Sequence, residues 1–418
     1  MNPILNVPIE VRLVVLGILG AFLGSVVNLA VYRLAWHRRR ISPLSPPLDE
    51  APARRPSDRI PILGWLGLRR EAPLHGAGFW IRPLVVELVV ALGAAALYWW
   101  EVDQLGLVRP WVAAPSAAVL HVTYVLHVLL LALMLIGSLI DVDEKLIPDA
   151  ITVPGTLVGL LAAAVFPWAM LPAVAAAVGP GGAAAAPPVW DFLRLSSPNP
   201  WPDWLGGFPS RWSLGIALCC WWGWCFALTP RTWYARHGQV RALVLCCARL
   251  RRDTGTYRMA ALGMLGSVGI ALVWGFGVER WAGLLTSLVG MAAGGGIIWS
   301  VRIVGTAVLR REAMGFGDVT LMAMTGSFLG WQPCLVIFFL APFAGLVIGL
   351  FSLILHRQSE IPYGPFLCLA AAFVVVRWAA VWQWAEAPFS LGLLVPAIVL
   401  VGLVLMAGLL GLWRAILG

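Results

Sequence analysis

Charge is scarce in this chain of 418 residues: 12% are Asp, Glu, Lys or Arg against 60% hydrophobic ones, and the mean hydropathy is +0.86. That scarcity excludes a soluble globule of ordinary composition. The cysteines, Cys219, Cys220, Cys225, Cys246, Cys247, Cys334 and Cys368, all sit in or beside apolar stretches. Adjacent pairs such as Cys219-Cys220 lack the C-x2-C spacing of a zinc knuckle or redox motif, so they read as small packing residues. A nucleotide-binding glycine loop is also missing. No A-x-A-like site closes the first apolar run, which continues into Tyr32-Arg33 and reads as a retained anchor and not a signal peptide.

What the chain has in quantity is apolar runs long enough to cross a bilayer, which takes about 20 residues at 1.5 Å each. Eleven are expected, over 12–34, 83–100, 117–140, 150–172, 211–229, 260–278, 282–305, 317–331, 333–355, 364–385 and 389–413. The fold class is therefore an all-α polytopic integral membrane protein with about eleven transmembrane helices and a cytoplasmic loop after the first. Basic residues mark the cytoplasmic side. They cluster in 35–82, in 230–259, and at Arg302, Arg310, Arg311, Arg357 and Arg414, which puts the N-terminus outside and the C-terminus inside. The net charge of +9 then reads as a topology signal and an attraction to anionic membrane lipid, with no nucleic-acid partner. The segment "RALVLCCARLRR" within 230–259 reads either as amphipathic on the bilayer surface or as a solvated arginine face.

Two acid clusters then fall on the internal side. The first is "SLIDVDEKLIPD", where Asp141, Asp143, Glu144 and Asp149 follow span 117–140. The second is "GFGD", Gly315 to Asp318, at the mouth of the short span 317–331. Acids inside or beside hydrocarbon are functional candidates by default. Two carboxylates that face each other share one proton, so one can act as general base and the other as general acid on a water molecule, the arrangement for hydrolysing a peptide bond. Gly315 and Gly317 allow the backbone to bend or be approached closely, and Pro148 separates Asp141 from the next span. The alternative from the residues alone is an ordinary polar cap between helices, with Asp318 at a helix start where Asp is favoured.

The pattern D-x-D-x-x-x-(I/L)-P-D at Asp141 to Asp149, together with G-x-G-D at Gly315 to Asp318, resembles the type IV prepilin peptidase family, membrane aspartyl proteases of the GxGD class. Supporting likenesses are "GAFLGSVVNLAVYRL" (Gly20 to Leu34), "RIPILGWLGLR" (Arg59 to Arg69), "IRPLVVEL" (Ile81 to Leu88) and "EIPYGPFL" (Glu360 to Leu367). The resemblance implies removal, on the cytoplasmic face of the bacterial inner membrane, of the short basic leader from type IV prepilins or type II secretion pseudopilins, whose helices are the partners. It makes Asp141 and Asp318 the catalytic aspartates and places Asp143, Asp149, Gly315, Gly317 and Pro148 near the site. Asp143 and Asp149 carry over only as neighbours that either tune the pair's proton affinity or cap helices, the second being preferred. Arg33, Arg69, Glu87 and Tyr363 are candidate substrate or loop contacts, and Glu87, a turn inside its span, is expected to find a partner such as a loop arginine. His121 and His127 read as packing histidines.

Departures from the family pattern limit what carries over. Many members hold two C-x-x-C pairs in the first internal loop, whereas 35–82 has no cysteine, so no zinc or other metal is expected there. Proteolysis needs no cofactor, and S-adenosylmethionine enters only if N-methylation of the new terminus is retained. Extra spans beyond the family's usual eight divide the chain into 1–34, the first helix; 35–82, the cysteine-less loop; 83–210, helices with the first aspartate and an external loop; 211–278, an inserted pair; 279–388, the GxGD helices; and 389–418, an extra helix. The rival readings are an ion-coupled transporter, in which the acids relay protons, and an inactive scaffold for pilus or secretion assembly.

Overall fold

The computed structural model describes residues 7–110, 112–175, 189–229, 248, 252–310, 314–354, 362–392 and 394–417. Most of 230–259, Cys246 and Cys247, Arg311, Glu312, Arg357 and Glu360 lie outside them, and with these the expected amphipathic segment. The described helices are α1 (Ile9–Leu34), α2 (Leu63–Leu68), α3 (Ala72–His75), α4 (Ile81–Tyr98), α5 (Ala117–Glu144), α6 (Asp149–Val165), α7 (Arg211–Leu228), α8 (Thr254–Gly275), α9 (Val278–Leu309), α10 (Phe316–Leu329), α11 (Trp331–Ile354), α12 (Gly364–Val376), α13 (Trp378–Phe389) and α14 (Leu394–Leu417). A π-helical turn, Trp99–Asp103, extends α4.

Among the described residues, seven helices are long and apolar enough to cross a membrane, or eight if one bent pair counts as a single span. The molecule is a multi-pass membrane protein. Every expected run is helical at least in part, but four do not pass as single spanning helices. The first, 150–172, stops at Val165, where the chain turns at Pro167 and forms β1 (Pro172–Ala175), paired antiparallel with β2 (Val189–Phe192) in the register Pro172 opposite Phe192. Among the described residues this hairpin is the one departure from the all-α expectation. The second, α7, has 18 residues, but its tryptophans and Arg211 hold its hydropathy down. In place of 317–331 stands α10, with 14 residues, too short for a bilayer. Finally, 364–385 breaks at Arg377 into α12 and α13, bent by 96°. The Trp378 indole donates to the Pro172 carbonyl at 2.8 Å and stacks on Trp382, so α13 turns across the hairpin.

Short as it is, α10 is enclosed: every residue from Asp318 to Leu329 is buried. Its closest partner is α9, where small residues let the two backbones meet, as they do in packed membrane helices. A Cβ on Gly290 would lie 2.2 Å from the Gly326 carbonyl oxygen, and one on Gly294 would lie 2.5 Å from that of Met322. The Ser287 hydroxyl donates to the Ser327 carbonyl at 2.5 Å, tying the same seam. On its other sides α10 meets α6, α11 and α12. The pair α7 and α8 packs outside α9, with the Trp281 indole on Ser213 at 3.0 Å and that of Trp221 on the Gly263 carbonyl at 2.9 Å. Peripheral α14 leans on α9 and is tied there by Arg414 to the Val308 carbonyl at 2.8 Å.

The seam predicts a contrast within one helix. Gly290→Ala is expected to cost about 1–3 kcal/mol by overpacking. Gly296→Ala, whose methyl meets open space, is expected to be neutral or to stabilise by about 0.5–1 kcal/mol. Denaturant titration in mixed micelles reads both.

Candidate active site

Three chain segments converge at one end of the bundle. The first is the last turn of α5, which carries Asp141. That helix stops because Lys145 adopts a left-handed conformation (φ 54°) and its N–H closes on the Asp141 carbonyl at 2.8 Å. Pro148, in extended conformation, then takes the N-cap position of α6. The second is the start of α10, where Gly315 is the N-cap and Arg302 holds the approach by donating to the Met314 carbonyl at 2.9 Å. Asp318 sits in the first helical turn, where the positive end of the helix dipole favours an anion. The third is the start of α12, where Gly364 and Pro365 open the helix.

Asp141 and Asp318 are 5% and 7% exposed, and the charge of Asp141 acts on Asp318. The Gly364 backbone N–H faces the Asp141 carboxylate. A Cβ on Gly364 would lie 2.5 Å from Asp141 Oδ2, so a larger residue there would push the carboxylate aside. Gly317 backs closely onto Ile147 of the α5–α6 connection. Tyr363 lies in the field of Asp318, and the Cys368 thiol in the fields of both acids. Asp141 Oδ2 and Asp318 Oδ1 are buried with no hydrogen-bond partner among the described residues. A buried carboxylate oxygen without a donor carries a desolvation cost of about 1–3 kcal/mol, which a water molecule or a substrate amide held between the two acids relieves. Asp318 therefore does not serve as a helix cap through Oδ1.

The other residues singled out from the sequence divide. Gly315, Gly317, Pro148 and Tyr363 frame the cleft. Asp143 is not a helix cap: it accepts from Arg82 at 2.6 Å, and the same guanidinium donates to the Leu139 carbonyl at 3.1 Å. Asp149 opens α6 with an exposed side chain, since Pro148 takes the N-cap. The partners of Glu87 are not loop arginines. It is fully buried and accepts from Ser25 at 2.7 Å, Asn28 at 3.3 Å and the Ile62 backbone N–H at 2.5 Å, fastening α1 and the loop to α4. The Arg69 guanidinium lies 3.9 Å over the Trp80 ring, and Arg33 is exposed. His121 meets the Tyr98 hydroxyl at 3.1 Å, and His127 pairs with buried Glu101 at 2.7 Å, a partner the sequence reading did not supply. Cys368 is a further site residue that sequence reasoning missed, whereas Gly364 belongs to the Tyr363-Gly-Pro365 turn expected to shape the internal mouth, and only its approach to Asp141 is new.

The loop without cysteines is held by ion pairs. Arg54 grips fully buried Glu71 through two contacts of 2.9 and 3.0 Å and donates to the Ser42 and Ser45 carbonyls at 2.8 Å each. Arg70 grips Asp58, which also accepts the Arg55 backbone N–H at 2.6 Å. No cluster of three or more His, Cys, Asp or Glu side chains able to hold a metal is found among the described residues.

Comparison with known proteins bears on the second aspartate first. Residues 252–350 match the type IV leader peptidase family. Asp318 lies inside the matched segment and Asp141 outside it. Among curated relatives, a prepilin leader peptidase/N-methyltransferase of Aeromonas salmonicida (strain A449) is 29% identical over 118 residues, 25% of this chain and 40% of that protein. Proteins of the same description from Pseudomonas putida and Stutzerimonas stutzeri are 31% identical over 106 residues and 34% over 100, covering 25% and 23% of this chain and 36% and 34% of their own lengths. The chain thus spans well under half the length of these relatives. No solved structure matches significantly.

Acid should loosen the loop. Burial pushes the Asp58 carboxyl up, but hydrogen bonds from Arg70 and the Arg55 N–H outweigh it and hold the group below its ordinary value. A carboxyl depressed in the folded state stabilises fully above its unfolded value, about 3.9, and that contribution disappears as pH falls through the folded value. Protease protection of residues 40–75 is expected to be flat above about pH 5 and to fall below about pH 4, and Asp58→Asn to lose the protection at neutral pH.

Proposed function

We propose that this protein is a membrane-embedded aspartic endopeptidase. Asp141 and Asp318 hydrolyse the peptide bond that joins the short basic leader of a type IV prepilin, or of a type II secretion pseudopilin, to its apolar helix. The cut is made on the cytoplasmic side of the bacterial inner membrane. The observation that carries the reading is the meeting of these two acids, from distant parts of the chain, in one buried cleft where a carboxylate oxygen of each lacks a partner. Support comes from the family match around Asp318 and from the names of the relatives.

The chemistry follows from one proton shared between two carboxyl groups. A water between them gives a proton to the ionised member as its oxygen attacks the scissile carbonyl carbon, while the protonated member donates to the carbonyl oxygen. The tetrahedral intermediate collapses when the carboxyl that took the proton returns it to the leaving nitrogen, freeing the new amino terminus. The first acid is then reprotonated from the new hydroxyl as the carbonyl reforms, and the pair regains its starting state. Gly364 and Tyr363 shape the substrate's approach to Asp141 and Asp318, and Arg33 and Arg69 sit toward the membrane surface where a leader arrives.

Leader removal assayed in membranes tests the proposal. Asp141→Asn and Asp318→Asn keep the side-chain shape and are each expected to reduce turnover by about 10²–10⁴-fold, with expression unchanged. Full processing by either variant overturns the aspartyl mechanism. No processing by the unaltered protein favours a transporter or a scaffold. Adding S-adenosylmethionine to the same reaction and weighing the product shows whether the new terminus also gains a methyl group.

A further inference from the structure

Along the flank of α5, between α4 and α12, runs a groove of about 720 Å³. Val89 and Gly93 of α4, Ala132 and Ser138 of α5, and Leu369 and Ala372 of α12 represent its walls. Among the described residues no charged side chain lines it. Val89 and Leu369 are 57% and 51% exposed, so the groove opens sideways, toward lipid.

One end of the groove lies next to the acid cleft, although neither acid lines it. Pro365, Ser138 and Cys368 line that end. Pro365 follows the glycine whose N–H faces Asp141, and Cys368 stands in the fields of both acids while its thiol contacts the Met134 carbonyl at 3.3 Å. The other end closes at Trp99, Trp100 and Val376.

The dimensions suit a helix. The lining runs from Val128 to Ser138 on α5 and from Pro365 to Val376 on α12. Each stretch is about 15 Å long at 1.5 Å per residue, close to three turns. A helix of that length and about 10 Å in diameter, sunk to half its depth, displaces roughly 600 Å³, which the groove accommodates. Gly93, Ala132 and Ala372 allow a second backbone to come close, the means by which helices associate in lipid without a hydrophobic driving force. Ser138 and Cys368 are the first polar side chains met on leaving the apolar stretch. A substrate helix has to unwind before a peptide bond can be cut, and backbone groups freed at membrane depth need polar partners.

We infer that this groove seats the first three apolar turns of the substrate helix and delivers the scissile bond at its Ser138–Cys368 end. The inference rests on the peptidase reading and deepens it by assigning the face of entry. A lipid acyl chain is the competing occupant. Proximity to the acids favours the peptide, since a chain of lipid gains nothing from an end that lies beside two carboxyl groups.

Two synthetic peptides test it: one with a basic leader, a glycine and an apolar helix of about 20 residues, and one with the same leader but only a few residues after the cut. Ala372→Trp fills the groove midway. It is expected to raise KM for the long peptide by about tenfold, to leave its kcat within about twofold, and to leave the short peptide unaffected. Leu346→Trp, on an exposed face of α11 outside the groove, serves as the control. Equal losses on both peptides, or no effect on either, overturn the inference. A benzophenone amino acid at Leu369 in the Asp318→Asn protein gives a readout independent of turnover. A cross-link to the long peptide is expected, and labelling of lipid alone overturns the groove. If the unaltered protein cuts neither peptide while the cross-link forms, the peptidase reading fails and the groove stands.

Discussion

Everything near the two acids depends on protein, and not lipid, surrounding a helix too short to span a bilayer. Backbone groups in hydrocarbon must find partners, and the 14 residues of α10 cannot carry Asp318 to a bilayer surface by length alone. Enclosure by α9, α6, α11 and α12 meets that requirement. The enclosure in turn depends on glycines at the α9–α10 seam, where side chains of any size would force the backbones apart. Once α10 is enclosed, its N-terminus is fixed against the end of α5, and the second carboxylate has only one place to go.

The acids were legible in the sequence because their cost makes them conspicuous: a charged group at the threshold of an apolar run stands out whatever the fold. Glycines beside them were legible for the same local reason. Other features were not. Gly364 matters because of how near Asp141 comes to it in space, and nothing in the chain around residue 364 mentions residue 141. Glu87 was read as needing a basic partner, whereas two polar side chains of α1 and one backbone N–H satisfy it. The reason is that a carboxylate can be satisfied by neutral donors once several converge, which spacing along one helix does not reveal. The bend at Arg377 and the hairpin were invisible to hydropathy, since both sides of each break are apolar and the stacking of Trp378 on Trp382 decides the path.

The loop between α1 and α4 shows how a small polar region is ordered beside a membrane without cysteines. Two of its acids, Asp58 and Glu71, are buried, and each is matched by an arginine that also satisfies backbone carbonyls. Removing one partner of such a pair leaves a buried charge unmatched, at a cost of about 3–5 kcal/mol. This order reaches the bundle through Glu87 and the Ile62 N–H, so the loop is fastened to the bundle and is not an appendage.

The length of α9 has a consequence for where chemistry takes place. Its 32 residues extend for about 48 Å, whereas the hydrocarbon core is about 30 Å thick. With Val278 at one boundary, Gly295, which packs against the Val319 carbonyl beside Asp318, lies about 26 Å along the axis. On that placement the helix works as a measuring rod, setting the acids within a few ångströms of the opposite boundary of a hydrocarbon core about 30 Å thick.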